Sequence, residues 1–408
     1  MHRPSREELF ASTRLGSLTL RNRFVRSAAF EGMCEGGLPS ARLVDYHGSV
    51  ARGGVGMTTV AYASVSRDGL TYGHQLRMDA GGMRRALVRL TDAVHGEGAA
   101  ACIQIGHAGY FADPAVTGTR PVGASRVPNV YGLSLPRPMR EEDIGRVVSD
   151  FGRAAVTVRE SGFDAVELQL CHGYLLSQFL SPYTNRRGDR YGGSLENRMR
   201  FPRAVVRRVR EVLGPGFPVV AKVNLTDGFD GGLELGEAVE VARMLEREGV
   251  DALVLSGGFV SKVPMYVMRG DVPFAQMYEN ESSATKKVGL LLLGKVMVKA
   301  FEFREAYFLE DARAVRRAVD VPLMLVGGMR SVGTIREVVG EGFELVAMAR
   351  PLIVEPDLVE RMRRGETDGS VCEPCNRCIA AMDGGDMRCT ERERLLGARG
   401  VSRPPCGR

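Results

Sequence analysis

Between residues 24 and 349, short runs of apolar and β-branched residues alternate with longer stretches in which apolar positions recur every three to four residues. An unbroken apolar run suits a strand covered on both faces, whereas the longer period marks one face of a helix. The pattern predicts strands at 24–27, 55–60, 100–105, 165–170, 219–223, 252–255, 323–326 and 345–348. Residues 142–161 place Ile144, Val147, Val148, Phe151, Ala155 and Val158 on one helical face, with Gly162 as a stop. Residues 235–248 and 311–318 read the same way. Eight strands alternating with helices is the count of a closed (β/α)8 barrel, an α/β fold.

Three connections are long: 106–140, rich in Pro and Gly; 177–196, polar; and 257–283, which carries Met265, Met268 and Arg269. Each follows a strand, so each is expected on the C-terminal face of the barrel, where sites in this fold are built. The alternating pattern stops near residue 356. The expected organisation is a barrel over 1–356 and a short Cys-rich extension over 357–408.

Hydrophobic residues at 44% and charged residues at 25% exclude a disordered chain. The net charge of +6 adds little. Arginines cluster at Arg203, Arg207, Arg208 and Arg210 and at Arg361, Arg363 and Arg364, on helical patterns without interleaved aromatics, so they read as solvated faces and not as a nucleic-acid surface. The charged start of the chain lacks the apolar core of a signal peptide. The most apolar stretch, 288–303, is interrupted by Lys295 and Lys299 and falls short of the ~20 residues a bilayer requires. A cytoplasmic protein without membrane or nucleic-acid partners is expected; self-association is left open. Of the eight cysteines, Cys372, Cys375, Cys378 and Cys389 crowd together, a spacing that suggests a metal or cluster more than a disulfide framework.

Candidate chemistry gathers at strand ends. Strand seven ends in Gly327-Gly328 and strand eight in Ala349-Arg350, and the loops after these two strands form a phosphate pocket in many barrels. After strand four, Gln169, His172 and Tyr174 flank Gly173; a turn there brings two hydrogen-bond donors and a proton donor around one pocket. A buried structural His is the competing reading. Gln104, His107 and Gly109 follow strand three. Lys222 stands inside an apolar strand, where it requires a negative partner. That partner could be a ligand with delocalised negative charge or a neighbouring carboxylate; Schiff-base chemistry of the barrel-aldolase kind is a third use for such a lysine.

The stretch from His172-Gly-Tyr-Leu-Leu-Ser-Gln-Phe-Leu-Ser-Pro-Tyr-Thr-Asn185, through Arg187, Asp189 and Tyr191-Gly-Gly-Ser-Leu-Glu-Asn-Arg198, resembles the signature of the old yellow enzyme family of NADH:flavin oxidoreductases. Leu20-Arg-Asn-Arg23, Gln104-Ile-Gly-His-Ala-Gly109, Gly327-Gly328 and Ala349-Arg350 occur in family order, so the resemblance spans nearly the whole barrel. It implies non-covalent FMN, reduction by NAD(P)H, and hydride transfer to an activated alkene such as an α,β-unsaturated carbonyl. By motif, Ala28, Gln104 and Lys222 lie at the flavin ring and Gly327, Gly328, Ala349 and Arg350 at the phosphate. Gln169 and His172 hold the substrate carbonyl, and Tyr174 protonates carbon.

Departures are visible too. Gln169 stands where a His is usual, Phe30 follows Ser27-Ala28-Ala29 in place of the usual Pro-Met then Thr or Cys, and Lys222 replaces a common Arg. Arg26 reads as structurally paired. The motif Cys372-x2-Cys375-x2-Cys378-x10-Cys389 resembles the [4Fe–4S] segment of trimethylamine dehydrogenase and 2,4-dienoyl-CoA reductases, which implies a cluster as an expectation, with zinc or free thiols as alternatives. Those relatives continue into a second nucleotide-binding domain that this sequence does not contain. The leading expectation is an NAD(P)H-dependent ene-reductase; the alternative is an FMN dehydrogenase that passes electrons through the cluster.

Overall fold

Each of the eight predicted strands forms, and all are buried because helices cover one face and the barrel interior the other. The computed structural model describes residues 3–129, 132–281 and 283–397. The strands are β1 Phe24–Arg26, β2 Met57–Ser64, β3 Ala100–Gly106, β4 Ala165–Leu170, β5 Val219–Asn224, β6 Ala252–Ser256, β7 Leu323–Val326 and β8 Leu345–Met348. All pair in parallel with their sequence neighbours, and β8 pairs with β1 to close the barrel. Eight helices alternate with them: α1 Ala41–Arg52, α2 Met83–His95, α3 Glu141–Glu160, α4 Leu195–Leu213, α5 Leu235–Arg247, α6 Leu309–Arg316, α7 Val332–Gly340 and α8 Leu358–Arg364. The (β/α)8 expectation holds.

Local chemistry explains the boundaries. Helix α3 carries Glu141, Glu142 and Asp143 in its first turn, where carboxylates complement the positive end of the helix dipole. Gly162, at φ +82°, turns the chain out of it. Strand β2 begins later than predicted and runs on to Ser64, because residues 61–64 remain buried and continue to pair with β3 past an irregularity in register.

A hairpin, Thr13–Leu15 with Leu18–Leu20, pushes Leu15 and Leu20 into an apolar cluster that takes a side chain from every barrel strand, among them Val25, Met57, Cys102, Ala165 and Met324. The interior is thus packed at its N-terminal end.

The long connections hold more structure than expected. Helix Leu175–Leu180 occupies the start of the loop after β4. Helices Pro264–Met268 and Phe274–Asn280 punctuate the loop after β6, and Ala284–Met297 follows them. Among the described residues no helix is long and apolar enough to cross a membrane. The arginine clusters are neutralised locally: Arg203 and Arg207 on Glu248, Arg208 on Glu211, Arg210 on Asp251, Arg361 on Glu355, and Arg363 and Arg364 on Glu360.

Candidate active site

Strand register sets the first half of the site. Gln169 on β4 lies opposite Lys222 on β5, and Glu167 lies opposite Gln104 on β3. Gln104 Nε2 donates to Glu167 Oε1 at 2.6 Å. Burial pushes the Glu167 carboxyl up from its ordinary range, and the nearby Lys222 ammonium opposes the shift. Lys222 Nζ itself donates to the Ala28 carbonyl at 3.1 Å and the Ser27 hydroxyl at 3.3 Å. It therefore ties β5 to the segment that leaves β1 and places its ammonium group beside a cavity of about 210 Å³, which Ala28, Gln104, Gln169 and Lys222 all line.

The turn expected at Gly173 is present. His172 adopts φ +61° and Gly173 φ +80°, and a Cβ at Gly173 would sit 2.5 Å from the Phe259 ring. This turn brings His172 and Tyr174 to the cavity beside Gln169. His172 Nε2 meets Ser256 Oγ at 2.8 Å, and its backbone N–H donates to Asn224 Oδ1 at 3.1 Å. Burial, reinforced by Lys222, holds the imidazole pKa well below its ordinary value, so the ring is neutral near pH 7. Gln169 Oε1 is buried with no hydrogen-bond partner among the described residues, a costly state that a bound polar group would relieve.

The second half lies after β7 and β8. Gly327 and Gly328 adopt φ +107° and +76°. A Cβ at Gly327 would lie 2.7 Å from the Phe308 ring, and one at Gly328 2.7 Å from the Arg304 carbonyl, so only glycine fits this cradle. Ala349 and Arg350 line the same cavity, with Arg350 Nη1 donating to the Arg269 carbonyl and to Asn376 Oδ1.

All predicted ring, phosphate and carbonyl residues thus converge on one cavity. His107 does not: its Nδ1 accepts the Gly109 N–H at 2.9 Å and its Nε2 faces Asp68, a brace between the loops after β2 and β3. Arg26 is fully buried against Glu31, as expected of a structural pair. Several lining residues went unread in the sequence: Tyr62, Tyr72, Phe111, Ser256 and, from the tail, Pro374, Ile379 and Met382. Tyr62 is held by hydrogen bonds to Thr71 Oγ1, at 2.6 Å, and to Tyr174, and burial pushes its pKa up to about 12. Phe30 stacks on Tyr72 with ring centroids 4.7 Å apart, so an aromatic layer takes the place of a hydroxyl or thiol.

The four tail cysteines line a second, small cavity together with Arg350, and Cys372 borders both cavities. Among the described residues no three of His, Cys, Asp or Glu converge as one metal ion requires. Burial, with the other tail cysteines adding to it, pushes the thiols of Cys372 and Cys378 up to about 12.

Residues 8–296 match the model of the NADH:flavin oxidoreductase / NADH oxidase family. The chain belongs to this family. As a member of it, the protein is an FMN-dependent oxidoreductase that draws on NADH or NADPH. It is 41% identical over 95% of its length to the 4,4'-dithiodibutanoate disulfide reductase of Rhodococcus erythropolis, covering 96% of that protein. It is 32% identical over 90% of its length to the NADH oxidase of Thermoanaerobacter brockii, of which it spans 52%. Among solved structures it superposes on a 2-naphthoyl-CoA reductase with TM-score 0.81 at 23% identity, over 96% of this chain and 58% of that one. It superposes on the old yellow enzyme homologue of Zymomonas mobilis with TM-score 0.71 at 22% identity, over 90% of this chain and 95% of that one. These likenesses show the shared barrel.

FMN fits the residues present: a glycine cradle with an arginine at one end, and at the other a lysine and two amides, one of them with an orphaned oxygen. Gly328→Val is expected to weaken FMN binding by about 10- to 100-fold, because a β-branched residue relaxes away from this positive φ in the free protein and binding must then restore it at a cost of ~1–3 kcal/mol. The flavin-to-protein ratio after desalting checks this.

Proposed function

We propose that this flavoenzyme reduces an activated C=C bond conjugated to a carbonyl, with NAD(P)H as the reductant. The observation that carries the reading is the convergence of Gln104, Gln169, His172, Tyr174 and Lys222 with Gly327, Gly328, Ala349 and Arg350 on a single cavity. FMN, when bound, would supply two-electron hydride chemistry between NAD(P)H and the acceptor. The Gly327-Gly328 backbone and the Arg350 guanidinium would hold its phosphate, while Ala28, Gln104 and Lys222 would border its ring.

Gln169 and His172 donate hydrogen bonds to the acceptor carbonyl, which orients the alkene and stabilises charge as it develops on oxygen. Because His172 Nε2 is engaged by Ser256, Nδ1 is the nitrogen left for the carbonyl. A neutral imidazole and a neutral amide polarise the carbonyl without charge of their own; Lys222 supplies the positive potential. Tyr174 delivers a proton to carbon, and Tyr62 holds its hydroxyl in place. Tyr62, Tyr72 and Phe111 exclude water from one side of the cavity.

The spectrum of anaerobically purified protein tests this reading. A flavin absorbance bleached by NADH or NADPH and restored by an enone supports it; a protein that takes up no FMN overturns it. The Rhodococcus relative makes a disulfide the second acceptor to include in the same titration, 4,4'-dithiodibutanoate first.

A second reading is electron delivery through a cluster on Cys372, Cys375, Cys378 and Cys389. It is favoured by the shared wall formed by Arg350 and Cys372. Thiolates of a [4Fe–4S] cluster each bind a different iron, so they ring a cavity instead of converging on one point. Near-stoichiometric iron and sulfide that Cys378→Ser abolishes is the expected result; flavin without iron in anaerobic protein counts against this reading.

A further inference from the structure

The loops after β4, β5 and β6 build an aromatic platform outside the flavin cavity. Tyr183, Phe229 and Phe259 meet edge to face with centroids 5.1–6.0 Å apart, and Tyr110 joins Phe259 at 6.1 Å. The platform is continuous with the cavity wall: its rings pack in one apolar cluster with Tyr62, Phe111 and Tyr174. Val260, which lines the cavity, stands two residues before Lys262.

Two cations lie on this platform. Lys262 Nζ sits 4.0 Å from the Tyr183 ring centroid and 4.4 Å from that of Phe229, and the Arg186 guanidinium lies 5.8 Å from the Tyr183 centroid. Burial depresses the Lys262 pKa, the Arg186 charge adds to the shift, and among the described residues no carboxylate opposes it. Among the described residues neither cation takes part in an ion pair, whereas neighbouring Arg187 closes on Asp189 at 2.5 Å. Both cations are exposed to solvent, and the Arg186 Nε–H also donates to the Tyr183 carbonyl at 3.1 Å. Water and the ring faces carry their charge in the free protein, and two cations against one ring present a positive face to an incoming anion.

We propose that Lys262 and Arg186 form a carboxylate site at the mouth of the cavity. It takes the acid group of an elongated acceptor whose reducible bond lies between Gln169, His172 and Tyr174. The inference rests on the proposed acceptor reduction and adds the substrate class: a mono- or dicarboxylic acceptor with a flexible arm. An arginine fork beside a compact ammonium suits a carboxylate, and the glycine cradle after β7 already supplies the cavity's phosphate end.

The test compares an enone that carries an ω-carboxylate with its methyl ester, on the FMN-loaded enzyme and its Lys262→Gln, Arg186→Gln and double variants. The ratio of KM for the acid to KM for the ester is expected to rise about tenfold for each cation removed, and Lys262→Arg should restore most of it. Equal changes for acid and ester, or no change, would overturn the proposal. So would a rise in KM for NADH or NADPH in place of the acceptor, since it would assign the cations to the coenzyme. If the wild-type enzyme reduces neither compound, the function reading fails on its own. Calorimetric binding of the saturated acid and ester to the same holoenzymes then still decides the anion site, because only a carboxylate site loses affinity for the acid selectively.

Discussion

Tyr174→Phe is expected to leave reduction of bound FMN by NAD(P)H near its wild-type rate and to slow reduction of an enone by about 10²- to 10⁴-fold, the usual worth of a placed general acid. The reason is geometric. Tyr174 borders the cavity beside Gln169 and His172, and its hydroxyl is held by Tyr62, whereas the substitution leaves the ring that packs against Tyr62 and Phe111 in place. Stopped-flow measurement of the two half-reactions separates the effects; equal losses in both would mean that Tyr174 shapes the flavin site instead of donating a proton. A disulfide acceptor sharpens the test. Its reduction releases thiolates and requires no proton at carbon, so Tyr174→Phe should spare it.

The largest stability effect is expected at Glu31. Its carboxylate meets Arg26 Nη1 at 2.5 Å and His47 Nε2 at 3.3 Å, and it accepts the Ala61 N–H, all in a setting where Arg26 and His47 are fully buried and Glu31 is 1% exposed. Glu31→Gln removes the anion and strands the guanidinium. Breaking one member of a buried pair costs ~3–5 kcal/mol, to be read as a large fall in thermal midpoint. Replacing both partners, Arg26→Met with Glu31→Leu, should be milder than Glu31→Gln alone, because no buried charge is then left unmatched. A double variant as unstable as the single would show that the carboxylate acts through Ala61 and His47 and not through Arg26.

Much of this architecture is legible in the residue pattern, and the reasons are physical. Parallel barrel strands are buried on both faces, so they read as apolar runs, and a polar residue inside one is conspicuous. Lys222 stands out for that reason and proves to be the register partner of Gln169. His172-Gly173-Tyr174 could be read as a turn because glycine was the residue that a positive φ and contact with Phe259 require. Tyr62 was not legible. It lies where β2 continues past its predicted end, and its role comes from a hydrogen bond to a residue from another strand end. The aromatic platform escaped notice because its rings come from three separate loops, and nothing local to any one of them shows that Lys262 and Arg186 share a ring. The tail's contribution was hidden as well, since its cysteines suggested a cluster while Pro374, Ile379 and Met382 carried no signal of lining the flavin cavity.

That tail contact has a consequence for the order in which the molecule assembles. The Met387 N–H donates to the Glu31 carbonyl at 2.8 Å, His74 Nε2 lies 3.1 Å from the Met382 carbonyl, and Asn376 secures Arg350. Segments more than 300 residues apart in the chain must therefore meet before the cavity has all its walls. Contacts of such separation form late, because the entropy of closing the intervening loop is lost before they return any stabilisation. During refolding, barrel secondary structure should be regained ahead of the capacity to retain FMN, and the lag between the two should track docking of residues 371–387.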